Sequence, residues 1–144
     1  MVRSPAVPSW IAYALLAALF AALVAVLGKV GLKEVDPTLA TAVRAVVMAG
    51  LLVTAAVALG KAGDLGDISR RPLLFIVLSG AAGAASWLFY FLALRDGPAT
   101  SVAALDRLSV VFVFVLAVLF LGETFTLKAA LGAALVVLGA ILLT

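Results

Sequence analysis

Long apolar runs alternate with short polar links along almost the whole chain. The runs are rich in Ala, Leu and Val, and a helix needs roughly 20 such residues to cross a bilayer core about 30 Å thick. Charged, glycine and proline residues fall mainly in the links, where helices end and begin. The pattern predicts a single membrane domain over residues 1–144, with five transmembrane helices at about residues 10–31, 37–59, 73–94, 98–121 and 127–142.

The polar links also predict where individual helices begin. Pro37 suits the first turn of the second helix, because its φ is fixed and it has no N–H group to leave unpaired. Thr126 is placed to cap the fifth helix with its hydroxyl. Residues 60–72 are polar and glycine-rich, so we expect the main hydrophilic loop there.

The composition agrees with an all-α integral membrane protein and leaves little room for other classes. Of 144 residues, 67% are hydrophobic and 12% are charged, whereas a soluble domain is about a quarter charged. The chain has no cysteine and no histidine, so we expect no disulfide, no metal site and no cofactor. It contains no phosphate-binding glycine loop and no nucleophile elbow, which argues against an enzyme.

The distribution of lysine and arginine predicts an orientation in the bilayer. The basic residues are scattered rather than collected in a run, so the net charge of +3 reflects membrane orientation and not nucleic-acid binding. With five spans the two chain ends lie on opposite sides, and the positive-inside rule favours a cytoplasmic amino terminus. The margin is small and permits insertion in both orientations: Arg3, Lys61, Arg70, Arg71 and Lys128 oppose Lys29, Lys33 and Arg95.

Four ionisable residues lie inside the apolar runs: Lys29, Arg44, Asp106 and Arg107. A charge at mid-membrane costs about 2.5 to 3.5 kcal/mol on insertion scales, so such residues point to function. The predicted topology places all four within about 10 Å of the non-cytoplasmic surface, where they could line one vestibule. Three positive charges against one negative favour an anionic or zwitterionic solute, with Arg44 contacting it and Asp106 modulating binding or coupling it to protons.

A structural interpretation of the same four residues remains open. Lys29 and Arg107 could extend their charged ends to the headgroups. Arg44 and Asp106 could then form a salt bridge between helices two and four. Under this interpretation the four charges hold the helices together and contact no solute.

The third helix carries a face of small and polar residues. Spacing of i, i+4, i+7 and i+11 places Ser79, Gly83, Ser86 and Tyr90 on that face, flanked by Trp87 and Phe91. Small residues on membrane helices commonly allow a neighbouring backbone to approach. The other interpretation is a solute-binding wall formed by Ser86, Trp87 and Tyr90.

Several stretches resemble a known transporter family. Residues 79–98 read SGAAGAASWLFYFLALRDGP, residues 105–109 read LDRLS and residues 121–123 read LGE. Together with GKVG at 28–31 and AVR at 42–44, they resemble the EamA family of the drug/metabolite transporter superfamily. The resemblance covers nearly the whole chain and is strongest to the small five-span bacterial and archaeal members.

The resemblance implies a multi-pass secondary transporter of the cell (inner) membrane that moves small organic solutes or metabolites by alternating access, often as an exporter. Larger relatives carry two five-helix units in opposite orientations, so this single unit implies one half of an inverted-repeat bundle and a homodimer, which could be antiparallel. The chain departs from the four-span small multidrug resistance branch, whose first helix carries an essential glutamate, because residues 10–27 contain no acid. The alternative function is a non-transporting membrane subunit or lipid-handling partner of a larger assembly.

Overall fold

The computed structural model describes residues 8–144. Arg3, which contributes to the predicted orientation, lies outside these residues. The described residues form six α-helices and one 3₁₀ helix: α1 (Ser9–Gly31), α2 (Pro37–Ala58), the 3₁₀ helix (Ala62–Asp67), α3 (Arg70–Asp96), α4 (Ala99–Asp106), α5 (Ser109–Phe120) and α6 (Leu127–Leu142).

The helices have the length and apolarity of membrane spans. Four stretches are long enough to cross a bilayer, namely Ser9–Gly31, Pro37–Ala58, Arg70–Asp96 and Ala99–Phe120. The fifth, Leu127–Leu142, is apolar but has 16 residues, or about 24 Å at 1.5 Å per residue. The predicted all-α membrane fold is therefore confirmed.

Local hydrogen bonds explain why α2 and α6 begin where they do. The Asp36 carboxylate accepts from the backbone N–H groups of Thr38 at 2.8 Å and Leu39 at 3.2 Å, and Pro37 occupies the first turn. The Thr126 hydroxyl accepts from the Ala129 N–H at 3.2 Å. Both predicted helix starts are confirmed. At each start a capping side chain accepts hydrogen bonds from N–H groups that lack a partner within the helix.

Gly60 ends α2 through a left-handed turn. Its φ is +69°, a region that residues with a side chain rarely adopt. The N–H of Lys61 donates to the Ala56 carbonyl at 2.8 Å, and the N–H of Gly60 donates to the Val57 carbonyl at 2.9 Å. This pair of hydrogen bonds is the Schellman motif, which gives the last carbonyl groups of a helix backbone N–H partners.

The loop expected at residues 60–72 is partly helical. It contains the 3₁₀ helix Ala62–Asp67, and α3 begins at Arg70, earlier than the predicted start near residue 73. Pro72 therefore lies in the first turn of α3. A proline is tolerated there because the first four N–H groups of a helix have no partner within it.

The chain forms two compact units, one of them built from residues 31–96. In this unit α2 packs against α3, and the 3₁₀ helix lies against α2. The buried residues are Leu32, Pro37, Phe91 and Leu94. Most other apolar side chains of α2 and α3 are exposed, as expected for helices that face lipid.

The other unit contains the described residues up to Val30 together with Gly97–Thr144. Here α6 packs against both α4 and α5. Four of its five buried residues are alanines, which permit close approach of helix backbones; they are Ala25, Ala104, Ala117 and Ala140, with Val102 as the fifth. The Ser101 hydroxyl donates to the Leu143 carbonyl at 2.7 Å, so α4 is also tied to the end of α6.

Candidate solute site

Arg44 on α2 lies over the indole ring of Trp87 on α3. The guanidinium carbon of Arg44 is 3.5 Å from the centroid of the Trp87 ring and 5.4 Å from that of Phe91. A cation above an aromatic face is attracted by the ring quadrupole, most strongly for tryptophan. The ring therefore stabilises a charge that would otherwise be expensive within a membrane span.

Trp87 belongs to an aromatic cluster on one face of α3, formed with Tyr90 and Phe91. The Trp87 and Tyr90 ring centroids are 5.5 Å apart with the planes at 78°, and those of Trp87 and Phe91 are 6.2 Å apart at 67°. Both are edge-to-face contacts, which aromatic quadrupoles favour. The spacing i, i+3, i+4 brings these side chains together on the helix surface, and the contacts orient the indole that carries Arg44.

A groove of about 370 Å³ opens beside the Arg44–Trp87 pair. Its α2 side is lined by Thr41, Arg44, Ala45, Met48, Ala49 and Leu52, and its α3 side by Gly80, Gly83, Ala84 and Trp87. The volume is at the lower end of the range for small-molecule sites. The lining is apolar except for Thr41 and Arg44, and Arg44 is its sole ionisable residue.

Gly80 and Gly83 leave space in the groove wall. A Cβ atom built on either glycine would meet no heavy atom within 4 Å, apart from the helix's own backbone and the chain neighbours. No neighbouring backbone approaches Gly83, so the close-packing interpretation of this position is not supported in the described structure. The glycines widen the groove instead.

Arg44 has no acidic partner within its own unit. None of the carboxylates in residues 31–96 lies within 4.0 Å of its guanidinium nitrogens, and its side chain is half-buried. Thr41, one turn earlier, donates its hydroxyl hydrogen to the Pro37 carbonyl at 2.7 Å. Within residues 31–96 the groove therefore presents a positive charge without a compensating negative one.

The structure places the predicted residues Ser86 and Tyr90 outside the groove lining. Ser86 is exposed on α3, and Tyr90 is half-buried within the aromatic cluster. Thr41 and Met48 line the groove but were absent from the predicted site. Their positions, three residues before and four after Arg44, place them on the same helix face and could have identified them.

Lys29 makes a specific contact in the other unit. Its ammonium donates a hydrogen bond of 2.9 Å to the Gly97 carbonyl, in the turn between α3 and α4. Lys29 lies in the last turn of α1 and is the one basic residue of that helix. This bond holds the end of α1 against the start of the segment that leads into α4.

Asp106 and Arg107 mark a break in the fourth predicted span. The Arg107 N–H donates to the Ala104 carbonyl at 3.1 Å, and the Leu108 N–H donates to the Leu105 carbonyl at 2.9 Å. These i to i−3 bonds form a 3₁₀ turn between α4 and α5, whereas the sequence predicts one continuous helix at 98–121. Residues 99–120 contain neither glycine nor proline, so the usual causes of a helix kink are absent.

The two charged residues at this break form an ion pair. A guanidinium nitrogen of Arg107 is 3.7 Å from a carboxylate oxygen of Asp106, and both side chains are partly exposed. Exposed pairs of this kind contribute about 0 to 1 kcal/mol. The expectation that Lys29, Arg44, Asp106 and Arg107 line one vestibule stays a prediction.

The described residues contain no group of three or more His, Cys, Asp or Glu side chains that could hold a metal ion.

Comparison with known proteins identifies the family. The model of the EamA-like transporter family matches residues 8–144. A Sinorhizobium sp. protein named "Uncharacterized transporter in cobO 3' region" is 46% identical over 135 residues, covering 94% of this chain and 96% of that relative. No solved structure matches the chain. The family match and the apolar helices together show that the chain belongs to the EamA-like transporter family and is a multi-pass membrane protein.

Proposed function

We propose that this protein is a secondary transporter that exports small organic solutes or metabolites by alternating access, with the α2–α3 groove as part of its solute site. The observation that carries the proposal is the Arg44 guanidinium, which lies 3.5 Å above Trp87 at a groove of about 370 Å³. Evolution tolerates a charge within a membrane span mainly where it serves a solute path or a pairing contact. Arg44 has no acidic partner in its own unit, so no ion pair within residues 31–96 accounts for its charge.

Asp106 is the proposed coupling residue. It is the only acid within the apolar stretch Ala99–Phe120, and it lies where α4 ends in a 3₁₀ turn. Interrupted helices in transporters commonly hold the coupling ion or the substrate. A coupling ion bound at Asp106 would then change the charge at a point where the span is already divided. The proposal includes no catalytic step, in agreement with family membership.

The proposed assembly is a homodimer in the cell (inner) membrane, with a cytoplasmic amino terminus or with both orientations present. A weak bias of lysine and arginine supports the dual orientation. Two reporter proteins, one active only in the cytoplasm and one active only outside it, would test this when each is fused separately to Thr144. Activity of both reporters supports an antiparallel pair, whereas activity of one alone would contradict it.

The experiment that tests transport begins with thermal unfolding of the detergent-purified protein against amino acids, nucleosides, organic anions and organic cations. A compound that binds the native state raises its apparent stability. Compounds that do so are then followed as radiolabelled solutes in proteoliposome counterflow. We expect exchange that falls at least about tenfold in Arg44→Ala, at equal amounts of inserted protein.

Arg71→Ala is the matched control, because Arg71 is exposed at the start of α3. Loss of exchange in Arg44→Ala but not in Arg71→Ala supports the proposed site. Exchange at the natural rate in Arg44→Ala would contradict it. Absence of binding and exchange throughout the panel would favour a non-transporting subunit.

A further inference from the structure

We infer that the α2–α3 groove selects organic monoanions with an apolar body and rejects zwitterionic and cationic solutes of the same shape. This inference rests on the proposed function, since it names the substrate class of the same site. It is narrower than the predicted anionic or zwitterionic solute. The relevant observations are the charge, the geometry and the walls of the groove.

The charge of the groove favours one negative group. Arg44 is the only ionisable residue in the lining, and no carboxylate of residues 31–96 lies within 4.0 Å of it. A carboxylate bound there would pair with the guanidinium. An ammonium group on the same solute would meet apolar walls and lose its hydration without a partner, which is strongly unfavourable.

The geometry of Arg44 favours a carboxylate. With the guanidinium carbon 3.5 Å from the Trp87 centroid, the indole lies directly against one side of the guanidinium group. The N–H groups lie in the guanidinium plane and form the fork that matches two carboxylate oxygens. The ring also restricts the guanidinium before binding, which lowers the conformational cost of the bidentate contact.

The walls of the groove favour an apolar body attached to that carboxylate. From Arg44 the α2 side continues through Met48 to Leu52, about 12 Å along the helix axis. Gly80 and Gly83 oppose them and leave the space open. Met48 is flexible and can adapt to rings or branched chains. A phenyl or branched alkyl group of modest size fits these walls.

Trp87 provides a direct readout, since the chain has two tryptophans and the other is Trp10. In a Trp10→Phe protein, Trp87 is the only indole, and a ligand on Arg44 changes its fluorescence. We would titrate 3-phenylpropionate, its neutral amide, L-phenylalanine and phenethylamine. We expect a saturable change with 3-phenylpropionate at concentrations at least about tenfold below those at which any of the other three responds.

Substitutions test whether Arg44 carries this selectivity. In the Trp10→Phe background, Arg44→Gln should weaken 3-phenylpropionate binding at least about tenfold. Arg44→Lys should retain part of it, because a lysine keeps the charge but loses the fork. Arg71→Gln is the matched control, about 24 Å from Trp87 along α3. Thermal unfolding of each variant establishes whether it is folded. If Arg44→Gln is not folded, Arg44→Lys is used to test the role of Arg44.

Three results would overturn the inference. The first is equal binding of L-phenylalanine or phenethylamine, and the second is no saturable response to 3-phenylpropionate. The third is a response to dioctanoyl phosphatidylglycerol alone, which would make the groove a lipid site. Failure of transport is separate: if 3-phenylpropionate binds through Arg44 but is never exchanged in proteoliposomes, the proposed function is wrong while the binding class stands. If a cation is exchanged in proteoliposomes but no anion binds, the proposed function stands while the inferred binding class is wrong.

Discussion

The ammonium of Lys29 donates a 2.9 Å hydrogen bond to the carbonyl oxygen of Gly97, residues that are 68 positions apart in the chain. The bond joins the end of α1 to the turn before α4. A hydrogen bond from a charged donor contributes about 1.5 to 3 kcal/mol when it is partly shielded from solvent. It therefore holds two distant segments of one unit together.

Replacing Lys29 should lower the stability of this unit. We expect Lys29→Met to reduce the free energy of unfolding by about 1.5 to 3 kcal/mol, because the Gly97 carbonyl loses its donor while the apolar part of the side chain is kept. Thermal unfolding in detergent measures the change. Lys33→Met is the control at an exposed position, and equal destabilisation by both variants would contradict the prediction.

A larger side chain at Gly83 should weaken solute binding without preventing the protein from folding. A methyl group on Gly83 meets no atom within 4 Å, so Gly83→Ala should fold and keep 3-phenylpropionate binding within about threefold. Gly83→Leu should weaken binding at least about tenfold, because the larger side chain occupies the groove, while the thermal transition is retained. The Trp87 fluorescence titration measures both. Unchanged affinity in Gly83→Leu would show that the solute does not occupy this space.

The Asp36 cap of α2 should make the stability of the protein depend on pH in the acid range. The N–H groups of Leu39 and Thr38 donate to the Asp36 carboxylate and lower the pKa of Asp36 below its ordinary value of 3.8. Because the folded pKa is lowered, the stabilisation is full above pH 3.8 and is lost as the pH falls through the lower, folded pKa. Asp36→Ala should reduce the melting temperature near neutral pH, and the difference from the natural protein should shrink in strong acid.

Glu34→Ala is the control for this acid dependence, since Glu34 is exposed two residues before the cap. Thermal unfolding of the three proteins across the acid range measures the effect. A difference between Asp36→Ala and the natural protein that stayed constant with pH would mean that the carboxylate charge does not stabilise α2.

Asp106→Asn should uncouple solute movement from the proton gradient. If Asp106 binds the coupling proton, the asparagine variant should lose at least about tenfold of pH-driven accumulation. Counterflow should continue, because exchange needs no net proton movement. Uptake of 3-phenylpropionate into empty proteoliposomes under a pH gradient measures accumulation, and proteoliposomes preloaded with it measure counterflow. Glu123→Gln is the control acid in the link between α5 and α6, and loss of accumulation in both variants, or in neither, would count against Asp106.

The sequence by itself determined the membrane character, the family resemblance and several helix starts. Apolar length is a local property, and so is the cap at Asp36 with Pro37 or at Thr126, because each depends on residues within one turn. These features therefore predicted where α2 and α6 begin. Charges within apolar runs likewise identified Arg44 and Asp106 without any knowledge of their neighbours.

Only the tertiary structure decided which side chains meet. Sequence spacing could not place Arg44 on Trp87, nor show that Gly83 borders open space rather than a helix backbone, because both depend on how α2 packs against α3. The 3₁₀ turn at Arg107 could not be predicted from the sequence, because no glycine or proline lies near it in residues 99–120. Pairing between distant segments, as for Lys29 and Gly97, is set by packing within the folded unit and not by any pattern along the chain.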